Sequence, residues 1–221
     1  MTGLIVAMDK ELNLLLPLLG SYREFTKDGY NFYLGNIDER QVTLMKSGIG
    51  KVNAALATRC MIENFAPKII INSGVAGGVG GGAGIMDIVV AEKIAYCDVW
   101  CGPGTKFGQA SDCPLYFEMK GLPLTAGESI KKGLICSSDR FISTVEEVKN
   151  IKEHFPEVMA VDMESGAIAQ TCYLNDTPCA VIRVVSDTPG EEDNISQYEN
   201  FWTKAPEATF NIIREVLAQD F

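Results

Sequence analysis

Carboxylates are the residues of this chain best placed to do chemistry. Glu11 comes just after the apolar run LIVAM, Asp162 and Glu164 follow VMAV, and Asp187 follows AVIRVVS. A carboxyl group can accept a hydrogen bond, take a proton from water or, where burial raises its pKa, deliver one. In α/β folds ligands collect beyond the carboxyl ends of strands, which is where an acid following an apolar run sits. A glycine-rich stretch, GVAGGVGGGAG from Gly74, occupies a fourth such junction. It lacks the Lys-Ser/Thr of a P-loop, and a strand rather than a helix follows it, so it does not fit a dinucleotide fingerprint. His154 is the single histidine and lies in the polar-flanked NIKEHFPEV. We read it as a surface residue, which argues against a Ser-His-Asp triad or a multi-histidine metal centre. No metal or organic cofactor is expected.

Each of these residues also has a plain structural use. Glu11 can complement the dipole of a first helical turn, Asp162 can cap the helix that Glu164 begins, and Asp187 can cap a turn with Thr188 and Pro189. Arg183 lies inside an apolar run and needs a charged partner. That partner is either one of these acids in a purely structural pair or part of a site. Taken singly, each of the acids favours the structural use, and what favours a site is their coincidence with recognisable sequence motifs.

The elements that must position them follow from periodicity. Leu4–Met8 reads as a strand, with Asp9 capping a helix that runs through Leu19. Three β-like stretches follow at Tyr22–Phe25, Tyr30–Asn36 and Gln41–Lys46, with Asp28-Gly29 and Asp38-Glu39 as hairpin turns. SGIGKVNAALATRCMIENF is a glycine turn entering a helix, and PKIIINSGVAGG is a buried strand ending in a glycine loop. Ile88–Asp98 suggests a long strand pair, and residues 100–125 an extended loop. Then come strand Gly133–Cys136, helix Ser143–Phe155, strand Val158–Val161, helix Glu164–Leu174, strand Cys179–Val185 and a final helix from Tyr198 to Leu217. The expected fold is one α/β domain over residues 1–221, with a central mixed, twisted β-sheet flanked by helices.

Composition narrows the function classes. The net charge of -10 opposes any phosphate-backbone partner, so no nucleic acid is expected. No signal peptide and no membrane span is read, so the expectation is a soluble, cytoplasmic protein without a membrane partner. The 7 cysteines are scattered without CxxC spacing and read as reduced thiols.

The ordered stretches MDKEL, KSGIGKVNAA, INSGVAGG, GQASDCP, SSDRFI, VDMESGAIA and IRVVSDT resemble the 5'-methylthioadenosine/S-adenosylhomocysteine nucleosidases of the purine nucleoside phosphorylase superfamily. The resemblance implies hydrolysis of a nucleoside N-glycosidic bond through an oxocarbenium-like transition state, with a small-molecule nucleoside as partner and a homodimer as assembly. It assigns Asp187 to the purine N6 and N7 and to leaving-group protonation, and Glu11 to deprotonating the attacking water. Glu164 would hold the ribose hydroxyls with Met163 beneath the sugar and Arg183 near those hydroxyls. Phe141 would stack on the base, completed by the Ile142 backbone. Met8, Ile49, Tyr198 and Phe201 would line the 5' pocket. Asp162, Ser186, Ala76 and Gly77 join the substrate-binding set from their places at the strand ends.

Phosphorylases of the superfamily carry cationic phosphate anchors where this chain has Ala7-Met8-Asp9-Lys10-Glu11 and Asn72, which implies water rather than phosphate as nucleophile. The nucleosidases commonly have a hydroxyl residue after Gly74, and here it is Val75. In the family the region of Trp100–Pro114 reaches toward the neighbouring subunit. The alternatives are hydrolysis or phosphorolysis of another purine nucleoside, futalosine-type or 6-oxopurine, or a nucleoside-binding relative without catalysis.

Overall fold

The computed structural model describes residues 1–204 and 212–219. Ten strands form one mixed sheet: β1 (Thr2–Val6), β2 (Tyr22–Lys27), β3 (Tyr30–Ile37), β4 (Arg40–Lys46), β5 (Ile69–Gly78), β6 (Ile88–Tyr96), β7 (Phe117–Glu118), β8 (Ile130–Ser137), β9 (Val158–Asp162) and β10 (Cys179–Asp187). The helices are α1 (Asp9–Leu15), α2 (Lys51–Phe65), α3 (Val145–His154), α4 (Ser165–Leu174), α5 (Asn194–Lys204) and α6 (Ile212–Leu217), with a 3-10 turn at Leu16–Leu19. The expected α/β architecture is therefore present.

The first half is an ordinary twisted sheet. Parallel β1 lies between β4 and β5, and β4, β3 and β2 continue outward as antiparallel hairpins. Asp28 and Gly29 both adopt positive φ, 51° and 82°, as a two-residue turn between strands of right-handed twist requires. The second half closes on itself. β5 pairs with β10, β10 with β6, β6 with β8, β8 with β9, and β9 returns to β5 at Gly77 and Gly78. Strand-helix alternation announces a sheet but not which strands meet, so this ring was not legible beforehand.

Side-chain alternation sends successive residues to two helical layers. Ile5, Ile70 and Val181 pack with Ala57 and Met61 of α2 and Ile168 of α4. Leu4, Ile71 and Ile182 pack with Leu12 and Leu15 of α1 and Ile213 and Val216 of α6. Arg183 has the parity of Val181 and Val185, so it enters the first layer, where α4 begins.

Several boundaries differ from expectation. The first helix stops at Leu15, because Pro17 lacks the N–H that another α-turn needs and the chain tightens to a 3-10 turn. Met8 takes the extended cap position and Asp9 is already helical. Ile88–Tyr96 is one strand whose partners lie far along the chain, not a strand pair. The final helix begins earlier, at Asn194, and the middle of the predicted span lies outside the described residues.

Candidate active site

The geometry of β5 creates the site. β1 accompanies β5 only as far as the Ile5–Asn72 pair, and β9 joins the same edge only at Gly77. Residues 73–76 are thus left without a strand on that side. Into this gap α1 inserts Glu11, 2% exposed. Its Oε1 accepts from the Val75 amide at 3.0 Å, and its Oε2 from the amides of Ala7 at 2.8 Å and Met8 at 3.0 Å. Gly74 is required by close approach, since a Cβ there would stand 2.6 Å from Oε1. Burial raises the pKa of Glu11, opposed by the Arg183 charge and the three backbone donors.

Asp187 ends β10 and is 2% exposed. Its Oδ1 accepts from the Ser186 hydroxyl at 2.6 Å, and its Oδ2 accepts from the Asn194 amide at the start of α5. Burial raises its pKa, while the two donors pull it down. Glu164 precedes α4 and reaches across to α2, where its Oε1 accepts from the Gly50 amide at 2.9 Å. Burial, reinforced by the negative charge of Asp162, pushes Glu164 up to about 7. In all three acids burial works against the ionised form.

Asp162 has a different task. Its Oδ1 accepts from Ser165 N at 3.3 Å and Oγ at 2.9 Å, and its Oδ2 from Arg183 Nε at 2.9 Å, with Nη2 at 2.6 Å. Arg183, 1% exposed, also donates to the Asn72 carbonyl and side chain, and Asn72 donates in turn to Ile5 O at 3.0 Å. This network ties β10, β9, β5 and β1 together beneath the acids.

Glu11, Asp187, Glu164 and Asp162 face one cavity of about 150 Å³. Met8, Ile49, Ala76, Gly77, Phe141, Ile142, Met163, Ser186 and Tyr198 line it as well. Phe141 and Tyr198 meet edge to face, centroids 5.6 Å apart, and the Tyr198 hydroxyl donates to Met8 Sδ at 3.4 Å. Flat apolar walls together with buried acids suit a ligand that carries both a planar ring and hydroxyl groups.

Two expected residues do not reach the cavity. Arg183 lies behind it in the ion pair with Asp162, its side chain consumed by Asp162 and Asn72. Phe201 is turned into the protein body, edge-on to Trp202 with centroids 5.3 Å apart. Ala7, Val75, Arg140 and Val161 line the cavity without having been singled out for it. Asn194 was missed altogether, for nothing in GEEDNISQ separates a buried asparagine from a loop residue.

Known proteins share this fold. The phosphorylase superfamily model matches residues 2–218. The 5'-methylthioadenosine/S-adenosylhomocysteine nucleosidase of Listeria monocytogenes is 36% identical over 97% of both chains. That of Staphylococcus aureus is 37% identical over 99% of this chain and 100% of its own. The Neisseria meningitidis nucleosidase bound to methylthio-immucillin-A superposes with a TM-score of 0.90 at 34% identity, covering 98% of this chain and 97% of its own. The S. pneumoniae enzyme with a transition-state inhibitor gives 0.91 at 33%, with the same coverage. From the superfamily match and full-length relatives of this identity, the chain belongs to the phosphorylase superfamily and, within it, to the 5'-methylthioadenosine/S-adenosylhomocysteine nucleosidases.

Proposed function

We propose that this protein hydrolyses the N-glycosidic bond of 5'-methylthioadenosine and S-adenosylhomocysteine, releasing adenine. The observation that carries the reading is the seat of Glu11, a buried acid held on three amides at the edge where a nucleophile would approach. In the reaction, Glu11 takes a proton from water as its oxygen attacks the anomeric carbon. Asp187 gives a proton to N7, so the purine departs neutral, and Glu164 holds the ribose hydroxyls. Phe141 and Ile142 form the base wall, and Met8, Ile49 and Tyr198 the apolar wall for the 5' substituent. Met163 supports the sugar. Arg183 acts from behind, through Asp162.

Water is preferred to phosphate on electrostatic grounds. A dianion beside Glu11 would need neighbouring cations, and Arg183, the cation whose charge acts on Glu11, is already committed to Asp162 and Asn72. Chromatography of purified protein incubated with methylthioadenosine, adenosine and inosine, with and without phosphate, tests the reading. Adenine release without phosphate is expected. Strict dependence on phosphate, or binding with no base released from any nucleoside, would sink it. The Asp187→Asn variant should bind nucleoside yet fail to turn it over.

Two wider features belong to the same reading. Val52 and Leu56 on α2 and Ile49 just before it, 71%, 58% and 51% exposed, leave an apolar surface that borders the cavity at Ile49, which supports a second copy of the chain docking there as a homodimer. All seven cysteines are free thiols, six of them buried, which supports residence in a reducing compartment such as the cytoplasm. No helix among the described residues is long and apolar enough to cross a membrane.

A further inference from the structure

Asn194 is 2% exposed, and its amide donates to Asp187 Oδ2. Its own Oδ1 is buried with no hydrogen-bond partner. A side chain kept only to fill space would do so at lower cost as leucine, because an unpaired buried acceptor forfeits its hydration. The bond to Asp187 is the one return on the amide that the structure shows. We propose that Asn194 is a positioning residue for the glycosidic reaction, fixing the plane of the Asp187 carboxyl and stabilising the carboxylate that remains once its proton has passed to the leaving base. This rests on the reading of Asp187 as the proton donor.

The geometry explains why two donors are used. Ser186 Oγ holds Oδ1 and Asn194 Nδ2 holds Oδ2, so the carboxyl cannot rotate about its Cβ–Cγ bond without losing both. Each oxygen keeps a second lone-pair direction for the ligand. Charged and titratable groups around Asp187 act from farther away. Glu11 on α1, Glu164 before α4, Arg140 before α3 and Tyr198 on α5 line the same cavity. β5 presents only the uncharged Val75, Ala76 and Gly77 there, and Asp87, next to Val185, turns its carboxylate to the Gly84 amide. Burial favours the protonated acid, while Asn194 and Ser186 favour its ionised form. The two donors thus oppose burial and favour release of the proton to the base in the transition state.

The test is a pair of pH–rate profiles for Asn194→Leu, which keeps the volume, and Asn194→Asp, which keeps the shape, with urea midpoints measured alongside. Loss of a hydrogen bond to a charged group should lower the maximal kcat by roughly tenfold or more with KM little changed. The donor's pKa rises when a donor to its carboxylate is removed. The alkaline limb of kcat/KM should therefore move to higher pH by about one unit in Asn194→Leu, and farther in Asn194→Asp, where two carboxyls face each other. Profiles that superpose on the wild type in folded variants, or a loss confined to KM, would overturn the proposal. Full activity in Asp187→Asn would instead remove the reading on which it rests.

Discussion

Gly74 and Glu11 form a unit in which a missing side chain makes room for a present one. A methyl group on Gly74 would stand 2.6 Å from Oε1, and neither the strand backbone nor the triply bonded carboxylate can give way at low cost. Gly74→Ala should therefore cut kcat by roughly a hundredfold or more, since small displacements of a reacting group are costly, while circular dichroism stays native. Wild-type turnover in that variant would show that the seat is not needed. Glu164 provides a prediction on pH. Its carboxyl titrates near 7 when folded against 4.5 for the unfolded reference. Folding thus favours the protonated acid, and this contribution is fully present below pH 4.5 and lost as pH rises through 7. Glu164→Gln should raise the melting temperature at pH 8 and scarcely alter it at pH 4, by an amount worth up to about 3 kcal/mol, although substrate turnover falls. Equal shifts at both pH values would contradict it. These acids were legible because each lies at the end of an apolar run. Arg183 was legible only as a buried cation in want of a partner, because the run AVIRVV does not say which face of the sheet each side chain takes.

At the scale of elements, β10 sets the site. Every one of its nine residues is buried, and its register against β5 brings Asp187 level with Gly77. Arg183, four residues earlier, ties the same strand to β9 and to Asn72 of β5. Breaking a buried pair by removing one partner typically costs about 3–5 kcal/mol. Arg183→Met should show a loss of that size in urea denaturation, together with reduced activity, and Asp162→Asn should relieve part of it in the double variant. A stability unchanged by Arg183→Met would mean that the network is dispensable. Strand positions were readable from apolar runs, and the helix read as Ser143–Phe155 matches α3, Val145–His154, to within two residues. The end of α1 was misjudged by weighing apolar spacing above Pro17. The α5 start was missed because an Asn that faces an acid inside the fold is indistinguishable, in one dimension, from an Asn that caps a turn.

At the scale of the molecule, two helical layers enclose a sheet whose second half closes into a ring, and one outer face remains apolar. Leu56→Glu places a charge on the apolar surface formed with Ile49 and Val52. Sedimentation velocity should show a dimer for the wild type and a monomer for this variant, with activity falling because Ile49 also borders the cavity. A monomeric wild-type protein would refute the assembly. The ring escaped sequence reasoning because pairing between β9 and β5 is carried by backbone at Gly77 and Gly78, which leaves no side-chain pattern.

The gap in β5 has one more consequence. Over residues 73–76 a carboxylate takes the place of a neighbouring strand, and the Val75 amide is bonded to Oε1 of Glu11, the proposed base. A hydroxyl side chain at that position would address the nucleophile, whereas the backbone N–H addresses the base itself whatever residue stands there. The Val75 amide proton is consequently a native spectroscopic reporter, tuned by the ionisation of Glu11 and readable without any label or substitution in the pocket.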